Sequence, residues 1–270
     1  MKDSIQTVRA YYDGNAQKEW ERLAQHPFEF IFTTYMMEKF MKPGDSVLDI
    51  GGGPGRYAIH LAKAGCEVTL VDLSPGNVAL AKEKARDAGV SLRAMDANCL
   101  DLDALDLGRF DHVLLMGPLY HLIHEEDRAE AIRLALARLK PGGVFYCSFI
   151  LDFAAIIYDM KNGPGMLPKD MADGLAQPLI ESVAQGTHYT GQAFTTACLY
   201  NQRQIEPFLA PFGLTKLALF GQEGILAPNE NQILGYPEEE RALWIETAKK
   251  LLELPELLAY SEHAMYIGRK

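Results

Sequence analysis

Two hydrophobic periods alternate between residues 47 and 150. Short apolar, β-branched runs at residues 47–50, 68–71, 90–95, 110–116 and 144–150 predict five strands. Between them, residues 56–64, 75–88 and 125–139 carry apolar side chains at helical spacing. The punctuation agrees. Ser74 and Pro75 suit an N-cap and a first helical position, Gly65 and Gly89 suit helix ends, and Lys42-Pro43-Gly44-Asp45 and Lys140-Pro141-Gly142-Gly143 read as turns. Strands alternating with helices predict a parallel sheet covered on both faces. Such sheets bind ligands at the carboxyl ends of their strands. Asp49 to Gly55, Asp72, Asp96 and Gly117 all fall at those ends.

Outside this region the rhythm changes. Residues 4–40 read as helical with a break at Pro27. Residues 152–190 hold scattered Gly, Pro and Met, with helical spacing and no strand, which predicts a cap over the strand ends. Residues 194–200 predict an extra strand, 204–210 a helix, 214–220 a sixth strand, 238–252 a helix and 264–267 a last strand. The expected organisation is one domain over residues 1–270, with an N-terminal helical segment (1–42) and a cap insertion (151–193).

Composition narrows the class. Hydrophobic residues make up 48% and charged residues 23% of the chain, enough for a proper core. The net charge of -10, without a basic stripe, argues against a nucleic-acid partner. No apolar run spans a bilayer, and the segment from Met1 to Gln6 lacks a secretory core, so the expectation is a cytoplasmic protein without a membrane partner. Cys66, Cys99, Cys147 and Cys198 form no C-x-x-C pair, so no metal and no disulfide framework is expected.

The chemistry concentrates at Asp49-Ile50-Gly51-Gly52-Gly53-Pro54-Gly55. A strand ending in glycines before a helix lets a ligand approach the backbone and its N–H groups closely. A dinucleotide loop wants G-x-G-x-x-G, but Arg56 stands at the third position. Asp49 would face a pyrophosphate badly and a cationic ligand well.

This segment resembles motif I of the class I S-adenosylmethionine-dependent methyltransferases, and the resemblance continues in order along most of the chain. Asp72 (with Leu73) matches the acidic residue that binds the ribose hydroxyls. Asp96-Ala97 matches the pair at the adenine ring. Residues 110–116 match the strand toward the acceptor, and Leu139-Lys140-Pro141-Gly142-Gly143-Val144 matches the turn into the fifth strand. The resemblance implies an α/β, Rossmann-like, seven-stranded, mostly parallel sheet and an S-adenosylmethionine site built from Asp49, Gly51, Gly52, Gly53, Gly55, Asp72, Leu73, Asp96, Ala97, Met116 and Gly117. In it Asp49 attracts the cationic end of the cofactor. The segment Tyr11-Tyr12-Asp13 resembles the aromatic entry segment of small-molecule methyltransferases, which places Tyr12 over the cofactor.

The acceptor side is less constrained, because methyl transfer from a sulfonium mainly needs alignment and exclusion of water. Met116-Gly117-Pro118-Leu119-Tyr120-His121-Leu122 lacks the Asn/Asp-Pro-Pro-aromatic element of base-amino methyltransferases and a nucleophilic Cys. It resembles a bacterial group with a cap after the fifth strand and histidines near the cap's end and the C-terminus. That implies an acceptor pocket of Tyr120, His121, His188 and His263, with His121 as general base. Met166, Met171 and Tyr158 are candidate lid contacts, Trp20 and Trp244 packing anchors, and Glu223-Gly224 lies on the site's side of the sheet. The expected reaction is methylation of a small molecule at O, N or S. The rivals are an RNA or protein methyltransferase, favoured by a basic patch at Lys161, Lys169 and Arg203, a cofactor-binding regulator without turnover, and, more distantly, an oxidoreductase.

Overall fold

The computed structural model describes residues 2–163, 165–174, 176–193 and 195–270. Met1 and Phe194, which figure in the sequence readings above, lie outside them. Helices α1 (Lys2–Gln25) and α2 (Pro27–Met37) come first, parted at Pro27 as expected, and α1 is kinked at Asn15. Strands β1 (Ser46–Ile50), β2 (Glu67–Asp72), β3 (Arg93–Asp96) and β4 (Phe110–Leu115) then alternate with helices α3 (Arg56–Lys63), α4 (Pro75–Asp87) and, after β4, α5 (Glu125–Ala137). β5 (Leu139–Ile150) follows. The turn expected at residues 140–143 interrupts β5 without ending it. Pairing with β4 starts at Phe110 and Leu139, shifts register, and resumes at His112 and Val144.

The cap is mainly helical, with α6 (Ala154–Asn162), α7 (Met166–Ala172) and α8 (Ala176–Gln185). Contrary to the strandless reading of 152–190, β6 (Tyr189–Gln192) begins inside it and pairs antiparallel with β7 (Thr196–Leu199). The extra strand is therefore half of a small hairpin and not a member of the main sheet. Its polar sequence, Tyr-Thr-Gly-Gln, gives no apolar alternation to read. The chain continues through α9 (Ile205–Leu209), β8 (Thr215–Gly221), α10 (Glu230–Leu234), α11 (Glu238–Leu251) and β9 (His263–Arg269).

The main sheet has seven strands in the order β3-β2-β1-β4-β5-β9-β8. β9 runs antiparallel to both its neighbours, and the other strands are mutually parallel. Each face carries a core. Leu48, Val113 and Phe145 pack with Ile132 and Leu136 of α5, while Val47, Leu70 and Leu114 pack with Phe28, Phe32 and Met36 of α2 and Leu61 of α3. This alternation along β1 puts Asp49 on the α2 side, inside the core layer. All four cysteines are buried and unpaired. Trp244, expected to anchor packing, is instead 46% exposed on α11. Among the described residues no helix is long and apolar enough to cross a membrane.

Candidate active site

A cleft of about 770 Å³, its open mouth included, lies at the carboxyl ends of β1, β2 and β4. Gly51, Gly53, Asp72, Leu73, Ala97 and Gly117 line one part of it, and Tyr12, Tyr120 and His121 another. Ile50, Asn77, Asn98, Cys99, Pro118 and Leu122 complete the wall, and Ile5, Val8 and Glu19 of α1 cover it. The sequence reading missed these residues. Asn77, three residues into α4 after its cap, carries a local signal; the α1 residues meet the cleft only through tertiary packing.

The glycine loop is held by its own backbone. Gly51 N–H donates to the Val71 carbonyl (2.7 Å), Gly55 N–H to the Gly52 carbonyl (3.0 Å) and Gly53 N–H to Asp72 Oδ2 (2.8 Å). Three of the N–H groups expected to greet a ligand are thus engaged within the protein. Gly55 lets α3 and α4 close up, since a Cβ there would lie 3.0 Å from Ala81 Cβ. It takes over the role that the third glycine of a dinucleotide loop plays. Arg56, in that third position, stacks its guanidinium 4.3 Å from the centre of the Phe30 ring.

Asp72 gathers the hydrogen bonds on the glycine-loop side of the cleft. Besides Gly53, it accepts from Ser74 N–H (2.9 Å) and the Asn77 amide (3.1 Å). A carboxylate offers roughly four lone-pair positions, so three internal bonds leave room for about one ligand hydroxyl beside them. Burial raises its pKa despite those bonds. The Ser74 hydroxyl, which caps α4, also donates to Asp13 Oδ1 (2.5 Å), and Gly76 N–H donates to the same oxygen (3.1 Å). Asp13 therefore fastens α1 across the cleft beside Tyr12.

Asp49, Gly52, Gly55, Asp96 and Met116 do not line the cleft. The Asp96 side chain is exposed at the end of β3, beside the lining residue Ala97. Asp49 is 2% exposed, its Oδ2 has no hydrogen-bond partner among the described residues, and Gly52 lies against it, since a Cβ there would come within 2.6 Å of that oxygen. Burial pushes the Asp49 carboxyl up to about 7, and the Asp72 charge adds to the effect. Asp49 thus lies behind the loop, outside the lining of the cleft. Between pH 3.8 and about 7 the unfolded chain releases this proton while the folded chain keeps it, so stability falls across that window and stays low above it. Asp49→Asn is expected to stabilise the ligand-free protein at pH 8 by about 1–3 kcal/mol, with the gain vanishing near pH 4. Denaturant midpoints at the two pH values check this; equal gains at both would contradict it.

On the other side of the cleft the Tyr12 hydroxyl lies 2.9 Å from His121 Nε2, and Thr195 Oγ1 lies 3.2 Å from His121 Nδ1. The Tyr120 ring meets the His121 ring edge-on at 4.7 Å. Burial lowers the His121 pKa to about 4, outweighing the Thr196 carbonyl hydrogen bond and the Glu19 charge, which raise it. The imidazole is therefore neutral at physiological pH.

His188 and His263 stand elsewhere. His188 stacks 3.8 Å from the Tyr200 ring, and its Nδ1 accepts from Asn201 N–H (3.0 Å). His263 Nδ1 lies 2.5 Å from Glu223 Oε1. Burial opposes its charge, but Glu223 outweighs burial and raises it to about 9. Tyr158, Met166 and Met171 are exposed on the cap. Lys161 does not contribute to a basic patch: it is 2% exposed and bridges Glu230 (3.0 Å) and Glu262.

Residues 47–143 match the methyltransferase domain family. The chain is 32% identical over 148 residues to the ubiquinone biosynthesis O-methyltransferase of Xanthomonas axonopodis pv. citri, an overlap of 53% of this chain and 61% of that protein. It thus spans about three fifths of that relative's length. It is 26% identical over 192 residues to the glycine/sarcosine N-methyltransferase of Halorhodospira halochloris, covering 66% of this chain and 70% of that one. Magnesium protoporphyrin IX methyltransferase of Synechocystis PCC 6803 with bound S-adenosylhomocysteine shares the fold, with a TM-score of 0.60 over 99% of both chains at 15% identity. Residues 47–143 thus carry the sequence pattern of a methyltransferase domain, and the whole chain shares the fold of this solved methyltransferase.

Proposed function

We propose that this protein, working as one domain in the cytoplasm, transfers the methyl group of S-adenosylmethionine to a small-molecule acceptor at oxygen, nitrogen or sulfur. One observation carries the reading. A single cleft joins a donor side, Gly51, Gly53, Asp72, Leu73, Ala97 and Gly117, to an acceptor side, Tyr12, Tyr120 and His121, beneath the covering helix α1. Enclosure of this kind suits a small acceptor in line with the sulfonium and shielded from water. The acidic balance and the burial of Lys161 support it over an RNA or protein acceptor.

In this reading Asp72 takes a ribose hydroxyl, and Asp49 favours the cationic end through the loop. His121 serves acceptors that must lose a proton. The Thr195 hydroxyl donates to the Thr196 carbonyl and so accepts from the ring, which puts the ring proton on Nδ1 and leaves Nε2, facing Tyr12, as the basic nitrogen. As the methyl leaves, the sulfonium charge disappears, and a forming imidazolium restores the charge of the cleft. Two unlike relatives, one named an O- and one an N-methyltransferase, leave the acceptor atom open.

A thermal-shift titration tests the donor assignment. S-adenosylhomocysteine at about 100 times its Kd contributes about 2.7 kcal/mol, a rise in Tm of about 5–10 °C for a chain of this size. NAD at the same concentration is expected to leave Tm unchanged. Equal shifts with both ligands would refute the assignment.

A further inference from the structure

Away from the cleft three ligating side chains converge. Glu29 of α2, Glu223 after β8 and His263 at the start of β9 each place one ligand atom within 4.8 Å of the other two. Each is held by further contacts. The Tyr57 hydroxyl donates to Glu29 Oε1 (2.9 Å), and Glu223 Oε2 accepts from the backbone N–H of Glu262 (3.1 Å) and of His263 (3.0 Å). Outer contacts of this sort fix ligand orientation at metal centres. The neighbouring carboxylates of Glu230 and Glu262 are taken up by Lys161, which sets the trio apart from them.

A separate observation comes from Gln222. It is 1% exposed, its backbone N–H donates to the His263 carbonyl (2.8 Å), and its side-chain amide donates to Thr33 Oγ1 (2.9 Å), one turn along α2 from Glu29. Its side-chain carbonyl oxygen has no partner among the described residues. A buried acceptor left unpaired is costly. A hydrated cation held between α2 and β9 would supply the missing donor.

We propose that Glu29, Glu223 and His263 bind one divalent transition-metal ion. Two carboxylates and an imidazole suit Zn²⁺ or Mn²⁺, which accept mixed nitrogen and oxygen ligands, better than Mg²⁺, which prefers oxygen and its own water. Three protein ligands leave a coordination position open. The three residues belong to distant parts of the chain, which is why no metal motif is legible in the sequence. None of them lines the cofactor cleft, so the proposal stands or falls apart from the donor assignment.

Calorimetric titration of the chelator-treated full chain with ZnCl₂ tests it. The expected result is one ion per chain, with MgCl₂ binding at least tenfold more weakly. Glu29→Gln keeps the side-chain size and spares the backbone contacts of Glu223. It is expected to weaken Zn²⁺ at least tenfold, to abolish the visible absorption of bound Co²⁺, and to leave S-adenosylhomocysteine affinity and Tm unchanged. Glu246→Gln, at an exposed carboxylate on α11, should bind Zn²⁺ like the parent. Absence of saturable Zn²⁺ binding overturns the proposal, as does equal affinity in the parent and Glu29→Gln.

Discussion

Gly51→Ala is expected to weaken S-adenosylhomocysteine binding at least tenfold and to destabilise the fold by about 2–4 kcal/mol. Two effects combine. Gly51 has φ +74, which costs an alanine about 1 kcal/mol. The added Cβ would then lie 2.5 Å from Pro118 Cδ, and relieving such overpacking costs about 1–3 kcal/mol more. Pro118 cannot yield cheaply, because it opens the turn Pro118–His121 that carries Tyr120 and His121. Gly117 is pressed from the same direction, since a Cβ there would come within 2.9 Å of the Gly51 carbonyl oxygen. The loops after β1 and β4 thus rest against each other, and one methyl group at Gly51 disturbs both donor and acceptor walls. Isothermal titration and denaturant unfolding measure the two effects. Parent-like affinity in a folded Gly51→Ala variant would show that the loops do not need this contact.

Asp72→Ala is expected to have a still larger effect on stability, about 3–6 kcal/mol, and to reduce cofactor binding below detection. Removal of the carboxylate strands the N–H of Gly53, the N–H of Ser74 and the Asn77 amide. Ser74 and Asn77 are 0% and 2% exposed, so water cannot readily replace the lost acceptor, and each stranded donor costs about 1–3 kcal/mol. Asp72→Asn separates structure from binding. Its single oxygen can still serve Ser74 and Asn77, while its NH₂ would face the Gly53 N–H. A loss of about 2 kcal/mol with a large loss of affinity is expected. Unchanged S-adenosylhomocysteine affinity in the folded Asn variant would remove Asp72 from the ribose site.

The half of the cleft proposed to hold the methyl donor was legible because it is local. Gly51, Gly53, Asp72, Leu73, Ala97 and Gly117 sit at strand ends marked by glycines and carboxylates, and period-2 runs reveal where those strands stop. Asp49 was legible as special but not as buried: which face of β1 it takes depends on the core packed there. The acceptor half depends on packing between distant elements. Tyr12 reaches His121 because α1 crosses the cleft, and no spacing rule encodes that crossing. His188 and His263 were expected to line the acceptor pocket beside His121, yet packing turned one onto Tyr200 and paired the other with Glu223. Strand β6 escaped notice because the outer strand of a hairpin, polar and partly exposed while its partner β7 is buried, needs no apolar face.

The placement of β9 has a consequence for how the molecule is assembled. The last strand in the sequence is not at the edge of the sheet but between β5 and β8. A nascent chain that has extruded β8 has nowhere to dock it until residues 263–269 emerge from the ribosome. Until then β5 presents an open edge of buried, apolar residues such as Phe145, Cys147 and Phe149, the kind of edge that pairs with other chains. The first five strands can order before β9 is made, because they pair only with one another, although β1 must wait for β4. Closure of the sheet, and the docking of Glu223 against His263, waits until residues 263–269 are free to pair with β5 and β8.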